Sequence, residues 1–388
     1  MRKICCSLLL IITYLVNPCN LWASGGSRLQ FRDATRTLER IQDATASGDY
    51  SAVEMQSKLI IQMETDLKTA KQADLQDDRN LRAIAVYLFS GGNPDIAENR
   101  LAPLKIDPEK KALLDGALAY ARGDKANAIK FLADIDVASL PANLAGRVAL
   151  VKAILTSAED LKSALLLLST ARSFMPGTLV EEAALRRCIS FAGKLPNIEQ
   201  LEHCASLYIR RFPKSVYWRE FEENFTLSMI EVDYLKSGGS MPRLILVLKD
   251  LPSSDYRRML LKISKAALNH GRYSLATLNA EKALELSRAD SAEMARSNLY
   301  LGALMIVQEN LANGKEKLEQ LDKRQLDQSD QVLLEKALDL ARQITRIPDL
   351  TAEQAAKSQS PDDLLGNQSP AYASLLTRAK KALADPVK

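Results

Sequence analysis

The residues of this 388-residue chain best suited to chemistry are few: His203, His270, five cysteines and the paired acids Asp77-Asp78, Glu181-Glu182, Glu222-Glu223 and Asp362-Asp363. His203 and Cys204, with Cys188 nearby, suggest a zinc site. Neighbouring residues on a helix point about 100° apart, so His203 and Cys204 cannot readily close on one ion. His270 falls at the tip of an expected hairpin, a routine exposed place. Paired carboxylates could do acid–base work, but all of these lie near expected helix starts, on polar faces or in loops. Negative charge there answers the positive end of the helix dipole. There is no GxSxG elbow, no HExxH and no GxxxxGK[ST] loop. The reading is a non-enzyme with no catalytic residues, no cofactor and no metal.

The cysteines speak instead about compartment. Arg2 and Lys3 precede an apolar run from Ile4 to Val16, Pro18 breaks it, and Leu21-Trp22-Ala23 offers a cleavage site before Ser24. That is the layout of a secretory signal peptide, residues 1–23. The competing reading, an uncleaved anchor, would put Asn17, Pro18 and Asn20 in the bilayer, where about 20 mostly apolar residues are needed. Cleavage carries away Cys5, Cys6 and Cys19 and leaves Cys188 and Cys204 on the two arms of one hairpin, at similar distances from the turn Lys194-Leu195-Pro196-Asn197. In an oxidising compartment the pair suits a disulfide. The alternative is two small buried thiols.

The elements that must position these residues are helices. A turn residue is followed five positions on by a small residue and nine on by a second apolar one. Gly92, Ala97 and Leu101 make one set, Gly123, Ala128 and Leu132 another, and Gly271, Ala276 and Ala280 a third. Glu159 with Ala164 and Leu168, and Glu309 with Gly314 and Leu318, echo it. Two antiparallel helices approach most closely just after their turn, so a small side chain is needed there. Helix pairs recurring in this way mark a solenoid, and no stretch alternates as a strand would. The fold expected is all-α, a degenerate tetratricopeptide-like helical-hairpin solenoid over residues 24–346. Its helices run from Phe31 to Leu321, with Ser237-Gly238-Gly239-Ser240 interrupting the beat. Residues 347–388 read as a polar linker and a short C-terminal helix.

Composition narrows the function. The formal charge is +4, and loss of Arg2 and Lys3 leaves +2, too near balance to argue for nucleic acid. The basic stretch Arg210, Arg211, Lys214 and Arg219 sits where cations meet helix carbonyls. Once the leader is removed, no segment is long and apolar enough for stable membrane insertion. The aromatics concentrate at Tyr208, Phe212, Tyr217, Trp218, Phe221 and Phe225. Tyr217, Phe221 and Phe225 recur every four residues, as a core face does. Trp218 falls off that stripe and is the candidate partner contact, because Trp is enriched among interface anchors.

Several stretches together resemble the MotC family, periplasmic motility proteins of rhizobia and their relatives. They are Leu38 to Asp43, Gly48-Asp49-Tyr50-Ser51-Ala52, Asp77-Asp78-Arg79-Asn80 and Val86-Tyr87-Leu88-Phe89-Ser90-Gly91-Gly92-Asn93-Pro94. Gly116 to Gly123 and Arg211-Phe212-Pro213-Lys214-Ser215-Val216-Tyr217 continue it. The Ser-Gly-Gly-Asn-Pro turn is the most specific piece. Beyond Ser237 the likeness rests on helix pattern. The resemblance implies a protein that acts in the periplasm on the flagellar motor, binding the periplasmic part of the stator protein MotB to support rotation and chemotaxis. It supplies no catalytic residue. A different class of function remains open, a periplasmic helical-repeat scaffold for envelope or cell-wall assembly. Lytic transglycosylases share a superhelical region, but their Glu-Ser start and Gly-Leu-Met-Gln signature are missing here.

Overall fold

The computed structural model describes residues 31–308 and 310–345, and every regular element among them is a helix. Helices α1 (Phe31–Ala46), α2 (Ser51–Thr69) and the single turn α3 (Gln72–Leu75) come first. Helices then alternate between two rows. The first row holds α4 (Asp78–Phe89), α6 (Pro108–Ala121), α8 (Ala142–Thr156) and α10 (Leu179–Lys194), then α12 (Trp218–Glu231), α14 (Ser253–Asn269), α16 (Ala292–Val307) and α18 (Gln328–Thr345). The second row holds α5 (Pro94–Leu101), α7 (Lys125–Leu132), α9 (Leu161–Phe174) and α11 (Ile198–Arg211), then α13 (Met241–Leu248), α15 (Tyr273–Leu286) and α17 (Leu311–Glu319). Within the first row α4 lies on both α6 and α8, and from α8 onwards α10, α12, α14, α16 and α18 each lie on the one before. This is the helical-hairpin solenoid expected.

The small positions do what their spacing requires. Ala97, Ala128, Ala164, Ala276 and Ala280 are all fully buried in the seams between the rows. At the weakest echo, a Cβ on Gly314 would sit 2.9 Å from the Gly302 carbonyl oxygen, so α16 and α17 touch backbone to backbone. The Ser90–Pro94 turn has a full physical account. Gly91 takes the left-handed φ of +95° that favours glycine. Gly92 lies flat on the Tyr87 ring, where a Cβ would come within 2.5 Å of Cζ. Asn93 caps α5 by accepting from the Asp95 and Ile96 N–H groups, and its own N–H donates to the Tyr87 hydroxyl.

The same device recurs at the supposed interruption. Gly238 has φ +96°, Gly239 packs on the Tyr234 ring and Ser240 caps α13. Tyr-x-x-Ser-Gly-Gly is thus a repeated joint, and the alternation of rows runs on through it. Two other expectations need correction. The helix expected from Tyr217 to Leu235 stops at Glu231, because the joint takes residues 232–240. Helix α18 falls inside the expected repeat domain of residues 24–346 but beyond its last expected helix, which ends at Leu321. Its stripe of Leu333, Leu334, Ala337 and Ala341 is hidden by the polar run that precedes it.

Helix α1 pairs with α2 as the first hairpin, α1 against α4 and α2 against α5, but it also touches a more distant helix. It lies against both α4 and α10, which are far apart in the chain, so the first row bends around it. Phe31 meets the Tyr87 ring edge-on at 5.6 Å. Arg147 of α8 donates to Gln42 at 2.9 Å, and the Leu179 N–H at the start of α10 donates to Asp43 at 3.0 Å. Burial drives Arg147 below and Asp43 above their usual ranges, with the neighbouring opposite charges offsetting part of each shift.

A close crossing in the first row is at Gly193, where an added Cβ would lie 2.7 Å from the Ser228 Cα. Backbone cannot yield as a flexible side chain does. Gly193→Ala is therefore expected to lower stability by about 1–3 kcal/mol, despite alanine's better helix propensity. Urea unfolding followed by circular dichroism checks this, and unchanged or raised stability would show that α10 and α12 can slide apart.

Candidate functional site

The residues singled out by type converge on the segment from α10 to α12. Cys188 and Cys204 face each other across the α10–α11 hairpin, Sγ to Sγ at 2.09 Å, with Cα atoms 6.3 Å apart. Both are buried, and the Gln200 amide donates towards both sulfurs at 3.3 and 3.4 Å. His203 points away from them on the exposed side of α11. Partial burial, with Arg172 and Arg210 nearby, holds its imidazole below the usual value and neutral at pH 7. His270 ends α14, its ring within 2.8 Å of the Ala266 carbonyl. Among the described residues no group of three or more His, Cys, Asp or Glu side chains is placed to hold a metal ion.

The paired acids divide. Asp77 is a helix cap, accepting from the Arg79 N–H at 2.7 Å, and Asp362-Asp363 lie outside the described residues. Glu181, Glu182 and Glu222 correct the reading of solvated helix starts, because all three are buried. Glu182 is fully buried and accepts from the Tyr208 hydroxyl at 2.6 Å, the Ser215 hydroxyl at 3.1 Å and Arg186 at 2.9 Å. Arg186 also reaches Glu220 at 2.5 Å and lies over the Tyr217 ring at 4.5 Å. Burial and the Glu182 carboxylate push the Tyr208 phenol well above its usual range, so it stays a donor. Glu181 takes Arg211 at 2.9 Å, and Glu222 takes Arg258 and Lys262 of α14 at 3.1 and 3.3 Å.

Above this network the aromatics stack. Tyr208 and Phe221 lie parallel at 4.3 Å, and Phe225 continues the column. Phe221 and Phe225 are core, as their spacing predicts. Tyr217 is half-buried beneath Arg186, at the cap position of α12. Trp218 joins the column, 4.9 Å from Phe221 and 6.0 Å from Tyr208, and its indole N–H donates to Glu222 at 3.0 Å. It is half-buried, with one edge already bonded. Each of the three buried carboxylates is met by at least one cation and one further N–H or O–H donor. The arrangement clamps helices α10, α11, α12 and α14 together.

A family model described as chemotaxis protein MotC matches residues 2–386. The chain belongs to the MotC family. Chemotaxis protein MotC of Rhizobium meliloti (strain 1021) is 28% identical over 342 residues, covering 87% of this chain and 77% of that protein. No solved structure matches. A motility and chemotaxis role thus joins an all-helical scaffold, and no described helix of this MotC-family chain is long and apolar enough to cross a membrane.

The signal for the buried acids was present in part. Glu182, Leu185, Ile189 and Ala192 fall on one helical stripe, so an acid tops an apolar face. Its partners, 26 and 33 residues away, were not readable. For the cysteines of this MotC-family chain, thiol titration of exported protein is expected to find neither sulfur free. Replacing both by alanine is expected to lower stability by about 3 kcal/mol, the loop-closure entropy for a separation of this size. Two free thiols together with an unchanged unfolding midpoint would leave the pair as plain core.

Proposed function

We propose that the chain is a periplasmic, non-enzymatic motility protein that supports flagellar rotation by binding the periplasmic part of the stator protein MotB. The observation that carries this reading is the MotC family match over nearly the whole chain, leader included. The leader pattern of residues 1–23 supports export, and a cysteine pair at bonding distance suits an oxidising compartment. A curved array of helix pairs presents a long surface of the kind that holds other proteins.

The test is co-purification of residues 24–388 with the periplasmic part of MotB from the same organism, at several salt concentrations. Retention that a scrambled bait does not reproduce is the expected result. Trp218→Phe keeps the ring column and removes the indole, so weakened retention would make Trp218 a contact. No retention by a chain that is helical in circular dichroism removes this partner. The envelope-scaffold reading then takes its place, with growth or envelope defects as the phenotype of deletion.

A further inference from the structure

Where the first-row helices α4, α6 and α8 begin, a cavity of about 190 Å³ opens between them and the 3-10 turn Val137–Ser139. Leu81, Leu113, Leu114 and Ile135 are buried along it, and Leu140 joins them. Asp78, Arg82, Glu109 and Lys110 also line it. Lys110 is occupied, bridging Asp78 at 2.7 Å and Asp107 at 2.8 Å. Arg82 and Glu109 are both exposed. Lys110 and, more weakly, Arg82 hold the Asp78 carboxyl below its usual range, yet among the described residues Arg82 and Glu109 keep no hydrogen bond or ion pair of their own around the apolar hollow.

Size decides what kind of ligand fits. Sites for small molecules and cofactors usually enclose about 300–1,000 Å³, so this hollow is too small for most of them. It suits one bulky side chain. An apolar pocket ringed by polar groups is the form taken by the anchor points of protein interfaces. Charge narrows it further. A purely acidic ligand would be repelled by Glu109 and a purely basic one by Arg82, whereas a segment carrying both signs satisfies the two together.

We propose that this cavity anchors the bound protein. It seats one aromatic or bulky aliphatic side chain from a segment that carries a carboxylate for Arg82 and a cation for Glu109. In naming that protein as the periplasmic part of MotB, the proposal rests on the function proposed above. The cavity itself stands independently of it.

Two kinds of variant test the anchor. Ser139→Trp, at an exposed position on the turn, fills the hollow from within the chain. Arg82→Glu combined with Glu109→Lys reverses both free charges. Each is expected to weaken binding of the MotB part by about tenfold or more, while Arg210→Glu, an exposed and unpaired cation on α11, leaves it unchanged. Equal binding by all three variants overturns the anchor and moves the contact elsewhere, first to the exposed Val53 and Ile61 of α2 and Tyr50 just before it. The cavity is also probed without the partner. N-acetyl-phenylalanine amide at millimolar concentration is expected to shift the methyl resonances of Leu113, Leu114, Ile135 and Leu140, and to shift them far less in Ser139→Trp. No shift overturns the cavity as a side-chain site whatever MotB does. Shifts in a chain that does not bind MotB uphold the cavity and discard only that partner.

Discussion

Glu182→Ala is expected to lower the unfolding free energy by about 3–5 kcal/mol, the usual consequence of removing one partner from a buried charge network. The carboxylate is fully buried and takes three donors from three places: Arg186 within its own helix, Tyr208 on α11 and Ser215 in the loop leading to α12. Without it, the Tyr208 and Ser215 hydroxyls have only each other in a pocket closed to water, and each buried group left unsatisfied costs about 1–3 kcal/mol. Arg186 keeps Glu220 and the face of Tyr217, which limits the loss. Glu182→Gln separates shape from charge: it retains a carbonyl oxygen for Tyr208 and is expected to lose less than alanine does. Urea unfolding of the two variants decides. A loss below about 1 kcal/mol for alanine would mean that water reaches the site and that the network holds little. The site lies mid-array, so the loss is expected to appear as one coupled transition.

The array itself was readable because its requirement is local. Close approach after a turn demands a small residue, and Ala97, Ala128 and Ala276 meet that demand within five residues of their glycines. The placing of Cys188 opposite Cys204 was equally local, since both residues flank one turn. The carboxylates were not, because the same acid near a helix start serves a solvated dipole or a buried clamp equally well. What separates the two is whether Tyr208 and Ser215 arrive opposite, and only tertiary packing decides that. Trp218 shows the converse limit. Its position off the four-residue stripe is real, yet Tyr208 comes from the neighbouring helix to cover it. The bend of the first row around α1 left no sequence signal at all, as it depends on contacts such as Arg147 with Gln42, 105 residues apart.

Asp330 repeats the chemistry of Glu182 at the end of the described array, and that position changes the outcome. It is fully buried, in the first turn of α18, and takes Lys265 of α14 at 2.6 Å, Arg296 of α16 at 2.8 Å and the Tyr300 hydroxyl at 2.9 Å. One carboxylate thus ties three successive first-row helices together. Asp330→Ala is expected to cost about 2–4 kcal/mol, somewhat less than Glu182→Ala, because Lys265 and Arg296 retain some exposure and water can recover part of their solvation. In a solenoid each unit leans only on its neighbours, so a lesion at the end frays locally whereas one in the middle uncouples both sides. Hydrogen exchange should therefore show lost protection in residues 328–345, with α4 to α10 unchanged in Asp330→Ala and weakened in Glu182→Ala. Equal loss of protection along the whole chain in Asp330→Ala would mean that the array folds as a single cooperative block.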